Sequence, residues 1–127
     1  MSFSFTRTGA KIEALHTAVD HDITTHDLGT VTDDTASVNV SNGGRQTLTA
    51  VGNVTLAWSG FTAELRHVLL EIDVSSLTSM TWAVDQWWTD GGSAPDLSGK
   101  DKVRILSDSY DNGTTINATV VGEVDAV

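Results

Sequence analysis

No cysteine occurs in the 127 residues, so disulfides and thiolate metal centres are excluded and cysteine usage is silent about redox compartment. No apolar run approaches the ~18 residues that a membrane-spanning helix needs, and the opening MSFSFTR is too polar for a secretory signal. These two absences lead to the expectation of a soluble, unprocessed chain without membrane insertion. Basic residues are also scarce, 7 against 17 acidic ones, with lysine confined to Lys11, Lys100 and Lys102. The resulting formal charge of −10 repels phosphate backbones and anionic lipid, so nucleic acid is not an expected partner. An Asp-rich, Lys-poor chain resembles proteins of salt-loving organisms, whose carboxylates stay hydrated while salt screens their repulsion; an ordinary acidic domain is the alternative.

A chain of this length is the size of one domain, with burial of roughly two-thirds of its extended surface to stabilise it. Residues 2–8 alternate Phe3 and Phe5 with polar neighbours, as a short strand or an arm packing on another subunit would. Ile12, Leu15 and Val19 fall at helical spacing, which predicts one short amphipathic helix over residues 9–19, closed by a polar turn over residues 20–25. The expected organisation is therefore an N-terminal arm and helix over residues 1–26 and a β-domain over residues 27–127.

Beyond Gly29 the pattern is that of short strands. Val38–Val40, Leu48–Val51, Val54–Trp58 and Ala118–Val121 alternate apolar with small polar residues, and turn residues recur at 42–44, 52–53, 59–60, 91–92, 98–99 and 111–113. Asp111, Asn112 and Gly113 mark the clearest hairpin turn, because Asn and Gly tolerate positive φ. Residues 63–74 also fit a helical stripe through Leu65, Val68, Leu69 and Ile72. Their setting favours a strand with Val68, Leu70, Ile72 and Val74 on one face and Leu69 facing out or into an interface. The fold expected is all-β, an antiparallel β-sandwich or jelly-roll-like domain with one short N-terminal helix.

Two blocks carry a resemblance. The first is DLGTV at 27–31, NVSNG at 39–43, QTLT at 46–49 and GNVTL at 52–56. The second is MTW at 80–82, Trp88, GGSAPDL at 91–97, VRIL at 103–106 and DNG at 111–113. In this order they resemble a β-rich virion structural module of tailed phages and related archaeal viruses, over roughly the last three-quarters of the chain. Ala83 stands where a Pro often follows the first Trp, and Thr89 and Asp90 lengthen the step to the Gly pair. The resemblance implies a structural or adsorption role on a virion, as a capsid decoration, turret or tail-attached protein. It also implies a homo-oligomer that meets the major capsid or tail proteins, no cofactor and no catalytic residues.

His16, His21 and His26 lie among Asp20, Asp22 and Asp27, but their spacing matches no metal motif and a solvated polar turn explains them better. Ser and Thr residues lack the Gly-x-Ser-x-Gly elbow or any comparable activation, so no catalytic set is expected. Asp33, Asp34, Asp108 and Asp111 suit a hard cation in kind, yet no complete calcium loop is present, and tight turns are preferred. Trp82, Trp87 and Trp88 sit beside a turn, with Trp82, Val84, Gln86 and Trp88 on one face at period two. Trp82 and one neighbour are expected in the core. The remaining ring would be covered by a subunit or left free for a ligand, which makes Trp87 and Trp88 the candidate ligand-binding residues. Phe3, Phe5, Ile12, Leu15, Val19 and Leu69 are the candidate interface residues. The alternative function is a receptor- or glycan-binding adsorption module that uses an exposed Trp against a host surface sugar. Asn39, Asn53, Asn112 and Asn117 each begin an Asn-x-Ser/Thr triplet, a pattern that arises readily in a Thr-rich chain.

Overall fold

The computed structural model describes residues 25–62 and 66–127. The expected arm and helix, with Phe3, Phe5, Ile12, Leu15 and Val19, lie outside the described residues. What is described is all-β: β1 Thr25–Thr32, β2 Thr35–Asn39, β3 Arg45–Ser59, β4 Arg66–Trp82, β5 Gln86–Trp87, β6 Lys100–Ser109 and β7 Asn117–Asp125. Only two three-residue 3-10 turns interrupt them, at Val40–Asn42 and Asp90–Gly92. All seven strands belong to one sheet in the order β1-β3-β4-β6-β7-β5, with β2 on the same side of β3 as β1 is.

Period two sets the inward face. In β3, Leu48, Ala50, Val54 and Leu56 are buried while their odd-numbered neighbours are not, and in β4 Val68, Leu70, Ile72 and Val74 are buried as the alternation predicts. Val38 of β2, Val103 and Ile105 of β6 and Ala118 of β7 belong to the same buried cluster. Each fully buried Leu, Ile or Val contributes roughly 1.5–3 kcal/mol relative to exposure.

Antiparallel pairing, expected throughout, holds only for β4 with β6 and β6 with β7. The pairings of β1, β2 and β4 with β3, and of β5 with β7, are parallel. Turn spacing marks where strands end but not which neighbour each one finds. Parallel neighbours ordinarily need a long crossover. Here the strands themselves curve back, because 15 residues of β3 would extend about 50 Å if straight while the six positions 60–65 reach at most about 20 Å. The closure is direct: Gln46 Nε2, at the start of β3, donates to the carbonyls of Asn39 (2.7 Å) and Gly43 (3.0 Å), although Asn39 pairs with Ser59 at the far end of β3.

The winding has a stacked corner. Gly52 and Asn53, expected as a turn between strands, lie inside β3 instead. There Gly52 has φ of 74° and the register to β4 shifts. One layer over, β1 gives way to β2 at Asp33, which has φ of 50°. Asp33 N–H donates to the Val51 carbonyl, Asn53 N–H to Asp33 Oδ1, and Ser79 Oγ to Asn53 Oδ1, so three layers turn at one level. On the other side of the sheet the hairpin follows expectation: β6 and β7 are antiparallel, and Asn112 adopts φ of 60° between them.

Candidate functional site

Cross-strand partners share a face, so the register defines what the outer side of the sheet presents. One row runs Gln86, Asn117, Asp108, His67 across β5, β7, β6 and β4. The next contains Thr119, Leu106, Leu69 and Arg45, with Trp88 at its β5 end, where its N–H donates to the Ala118 carbonyl. A third pairs Glu71 with Arg104, whose Nε donates to Glu71 Oε1 at 3.1 Å. The outer face is polar and charged, with half-buried Leu69 and exposed Leu106 as cross-strand neighbours and Thr119 between Leu106 and the Trp88 end of the row.

The tryptophans divide differently from the period-two expectation. Trp87, not Trp88, joins Trp82: their rings meet edge to face at 5.1 Å and pack against the core. Residues 83–85 leave the sheet between β4 and β5, so the strand period does not carry from Trp82 to Trp88. Ala83 and Asp85 N–H groups instead donate to Leu56 and Ile116 carbonyls, and Asp85 Oδ2 accepts from Ile116 N–H. Trp88 is left 69% exposed. Tyr110, not singled out by sequence reasoning, is 76% exposed directly after β6 and continues its outward alternation of Arg104, Leu106 and Asp108. The sequence signal for it was parity within β6 past buried Ser107 and Ser109.

Between these aromatics, Asn117 is only 7% exposed, and the Oδ1 atoms of both Asn117 and Asp108 are shielded without a hydrogen-bond donor. Gln86 and His67 at the ends of the row are exposed.

A second feature is an open strand edge. β4 pairs with β6 only as far as Asp73, and among the described residues nothing pairs with residues 74–82 on that side. The edge borders a cleft of about 470 Å³ whose walls include Leu77, Met80 and Trp82 from β4 and Pro95, Leu97 and Lys100 opposite. The outer edges of β1 and β2 are likewise unpaired among the described residues.

The Asp-rich loops are built as turns. Asp111 Oδ1 accepts from Thr115 N–H and from the Ser109 hydroxyl, and these bonds, Thr115 first, hold its carboxyl below the usual value. Ser75 and Ser98 do the same for Asp73 and Asp96, each through hydroxyl and N–H. Asp33 and Asp34 accept from Asn53 and Thr35 N–H groups. Lys100 is raised by Asp125 and then Glu123, its ion-pair partners at the chain end. Of the histidine set, His16 and His21 lie outside the described residues and His26 belongs to β1, opposite Gln46. Among the described residues no group of three or more His, Asp or Glu side chains could hold a metal ion, and no helix is long and apolar enough to cross a membrane. Of the four Asn-x-Ser/Thr triplets, Asn117 is buried and Asn39 uses its side chain to cap the turn at Ser41, whereas Asn53 and Asn112 are exposed. No protein-family model, curated protein or solved structure matches this chain.

Proposed function

We propose that the chain is a non-enzymatic structural module of a virion surface, a decoration, turret or tail-attached component that assembles as a homo-oligomer. The observation that carries assembly is the edge of β4 over residues 74–82, unpaired among the described residues, beside a cleft with Leu77, Met80, Trp82 and Leu97 in its walls. A long unpaired edge presents a row of free N–H and C=O groups, and natural β-proteins cover such edges. The virion assignment rests on the sequence resemblance. In this reading the curved sheet faces itself as a sandwich-like body. The segment with Phe3 and Phe5 and the stripe Ile12, Leu15, Val19 join Leu69 in locking subunits to each other or to the capsid or tail protein beneath.

Solution mass by light scattering, in molar and in dilute salt, tests the assembly. A closed oligomer of defined number is expected, and Met80→Asp, which places a charge in the cleft wall, should dissociate it while leaving the β-type circular dichroism intact. A wild-type monomer at every salt concentration, or a Met80→Asp oligomer of unchanged mass, would count against this reading. Immuno-electron microscopy with antibody to the chain on virus particles then tests the location: unlabelled particles would remove the virion assignment.

A further inference from the structure

We propose that the outer face of β5, β7, β6 and β4 binds a neutral oligosaccharide, with Trp88 and Tyr110 as its aromatic contacts and Asn117 and Asp108 as acceptors for its hydroxyls.

Two oxygens on this face lack donors. Asn117 and Asp108 are directly paired across β6 and β7, and each keeps an Oδ1 shielded from water without a hydrogen bond. An unmet buried acceptor destabilises a fold, and most polar groups so placed have partners. Two cross-strand partners that each hold an unmet acceptor mark a place where donors from outside the chain are wanted. Gln86 and His67 flank the pair at the ends of the same row and are exposed, so the row is open to an arriving group at both ends.

The flanking aromatics narrow the chemistry. Trp88 lies two strands away from Leu106, at the same level, and Tyr110 is four residues farther along the β6 direction. Strand spacing and rise put the two roughly 16 Å apart across the face, a span suited to a short chain of sugar rings. Pyranose rings combine what the face asks for: an apolar C–H side to lie on an indole or phenol, and hydroxyl donors at the rim. An apolar protein partner would cover Trp88 but leave the two oxygens unpaired. A phosphorylated or sialylated ligand would meet Asp108 on a chain whose formal charge is −10. A neutral glycan satisfies the rings and the oxygens together.

The test uses the full chain, in whatever assembly it forms, on an array of neutral hexose oligosaccharides and sialylated glycans, followed by calorimetric titration of the strongest neutral hit. Binding of a neutral oligosaccharide is expected, weakened roughly five- to tenfold by Trp88→Ala. Tyr110→Ala should weaken it too. Both side chains are exposed, so the variants should keep the wild-type melting temperature. Asp108→Ala should weaken the same ligand, while a change to Asn, which retains an acceptor oxygen, should recover part of the loss. Absence of neutral-glycan binding at millimolar concentration, binding of sialylated glycans alone, or an affinity unchanged by Trp88→Ala would each overturn the proposal. None of these results alters the light-scattering outcome, so this site and the assembly reading fail separately.

Discussion

Gly52 concentrates the geometry of the corner at one position. Its φ of 74° is one that L side chains rarely adopt, and a Cβ there would collide with Asp33 Oδ1. That oxygen holds Asn53 N–H at 2.8 Å. Gly52→Ala should therefore cost about 2 kcal/mol or more, combining the left-handed penalty with a disturbed hydrogen bond, as a urea melt would read. Gly29→Ala supplies the comparison, because its φ of 77° carries the same backbone penalty with open space around the new methyl group. The carboxylates act on a different axis. Asp73, Asp96 and Asp111 each have a folded pKa below the ordinary 3.8, so their stabilisation is present above the unfolded value and is lost as pH falls through the folded values. The melting temperature should hold above about pH 5 and decline below about pH 4. Asp111→Ala, which removes the acceptor for Thr115 N–H, should make that decline shallower; an identical acid profile would show that the turn contributes nothing to it.

At the scale of elements, the closure of the winding depends on a residue whose type gives no hint of it. Gln46 is fully buried at the head of β3, and its amide joins the end of β2 to the turn before β3. Gln46→Leu keeps the volume and removes the N–H groups that both carbonyls accept from, and should cost roughly 2–3 kcal/mol by urea denaturation. Ile72→Ala, a loss of fully buried volume in the adjacent strand, should cost roughly 2–5 kcal/mol and gives the scale of an ordinary core defect. The contrast between Gln46 and Ile72 marks what sequence reading can reach. Val68, Leu70, Ile72 and Val74 announced their shared face because period two is written in the residues, and Asn112 with Gly113 announced a hairpin because positive φ has few tolerant residue types. The parallel pairing of β1, β2 and β4 with β3 was not readable, since alternation states which face is buried and nothing about the direction of the neighbour. Which neighbour would join Trp82 was hidden for a related reason: alternation stops where the chain leaves the sheet, and the path of residues 83–85 is set by bonds to Leu56 and Ile116. The orphan oxygens of Asn117 and Asp108 exist only once β6 and β7 are in register, although both residues were conspicuous in the sequence for other reasons.

Charge is a property of the molecule as a whole, and here it is lopsided on a surface built from one sheet. Among the described residues the ion pairs use only Lys100 and Arg104, which meet Asp125, Glu123 and Glu71 at the surface. Exposed pairs of this kind contribute little, commonly under about 1 kcal/mol each. Thirteen of the chain's carboxylates fall within residues 25–62 and 66–127, so most have no cation beside them, and their mutual repulsion is spread over the surface. Dissolved salt acts on that repulsion directly: the screening length shortens from about 30 Å at 0.01 M to about 3 Å at 1 M. Relief of repulsion should exceed the weakening of the Lys100 and Arg104 pairs, because the unpaired carboxylates outnumber the paired ones. The melting temperature should therefore rise between dilute buffer and molar sodium chloride. A neutral osmolyte at equal osmolality separates charge screening from the general exclusion of cosolute. If Asp-rich composition serves hydration in salt, sodium chloride raises the melting point well beyond the osmolyte; if both solutes give the same increment, or salt gives none, the acidic surface has no special relation to salt and the chain is an ordinary acidic domain.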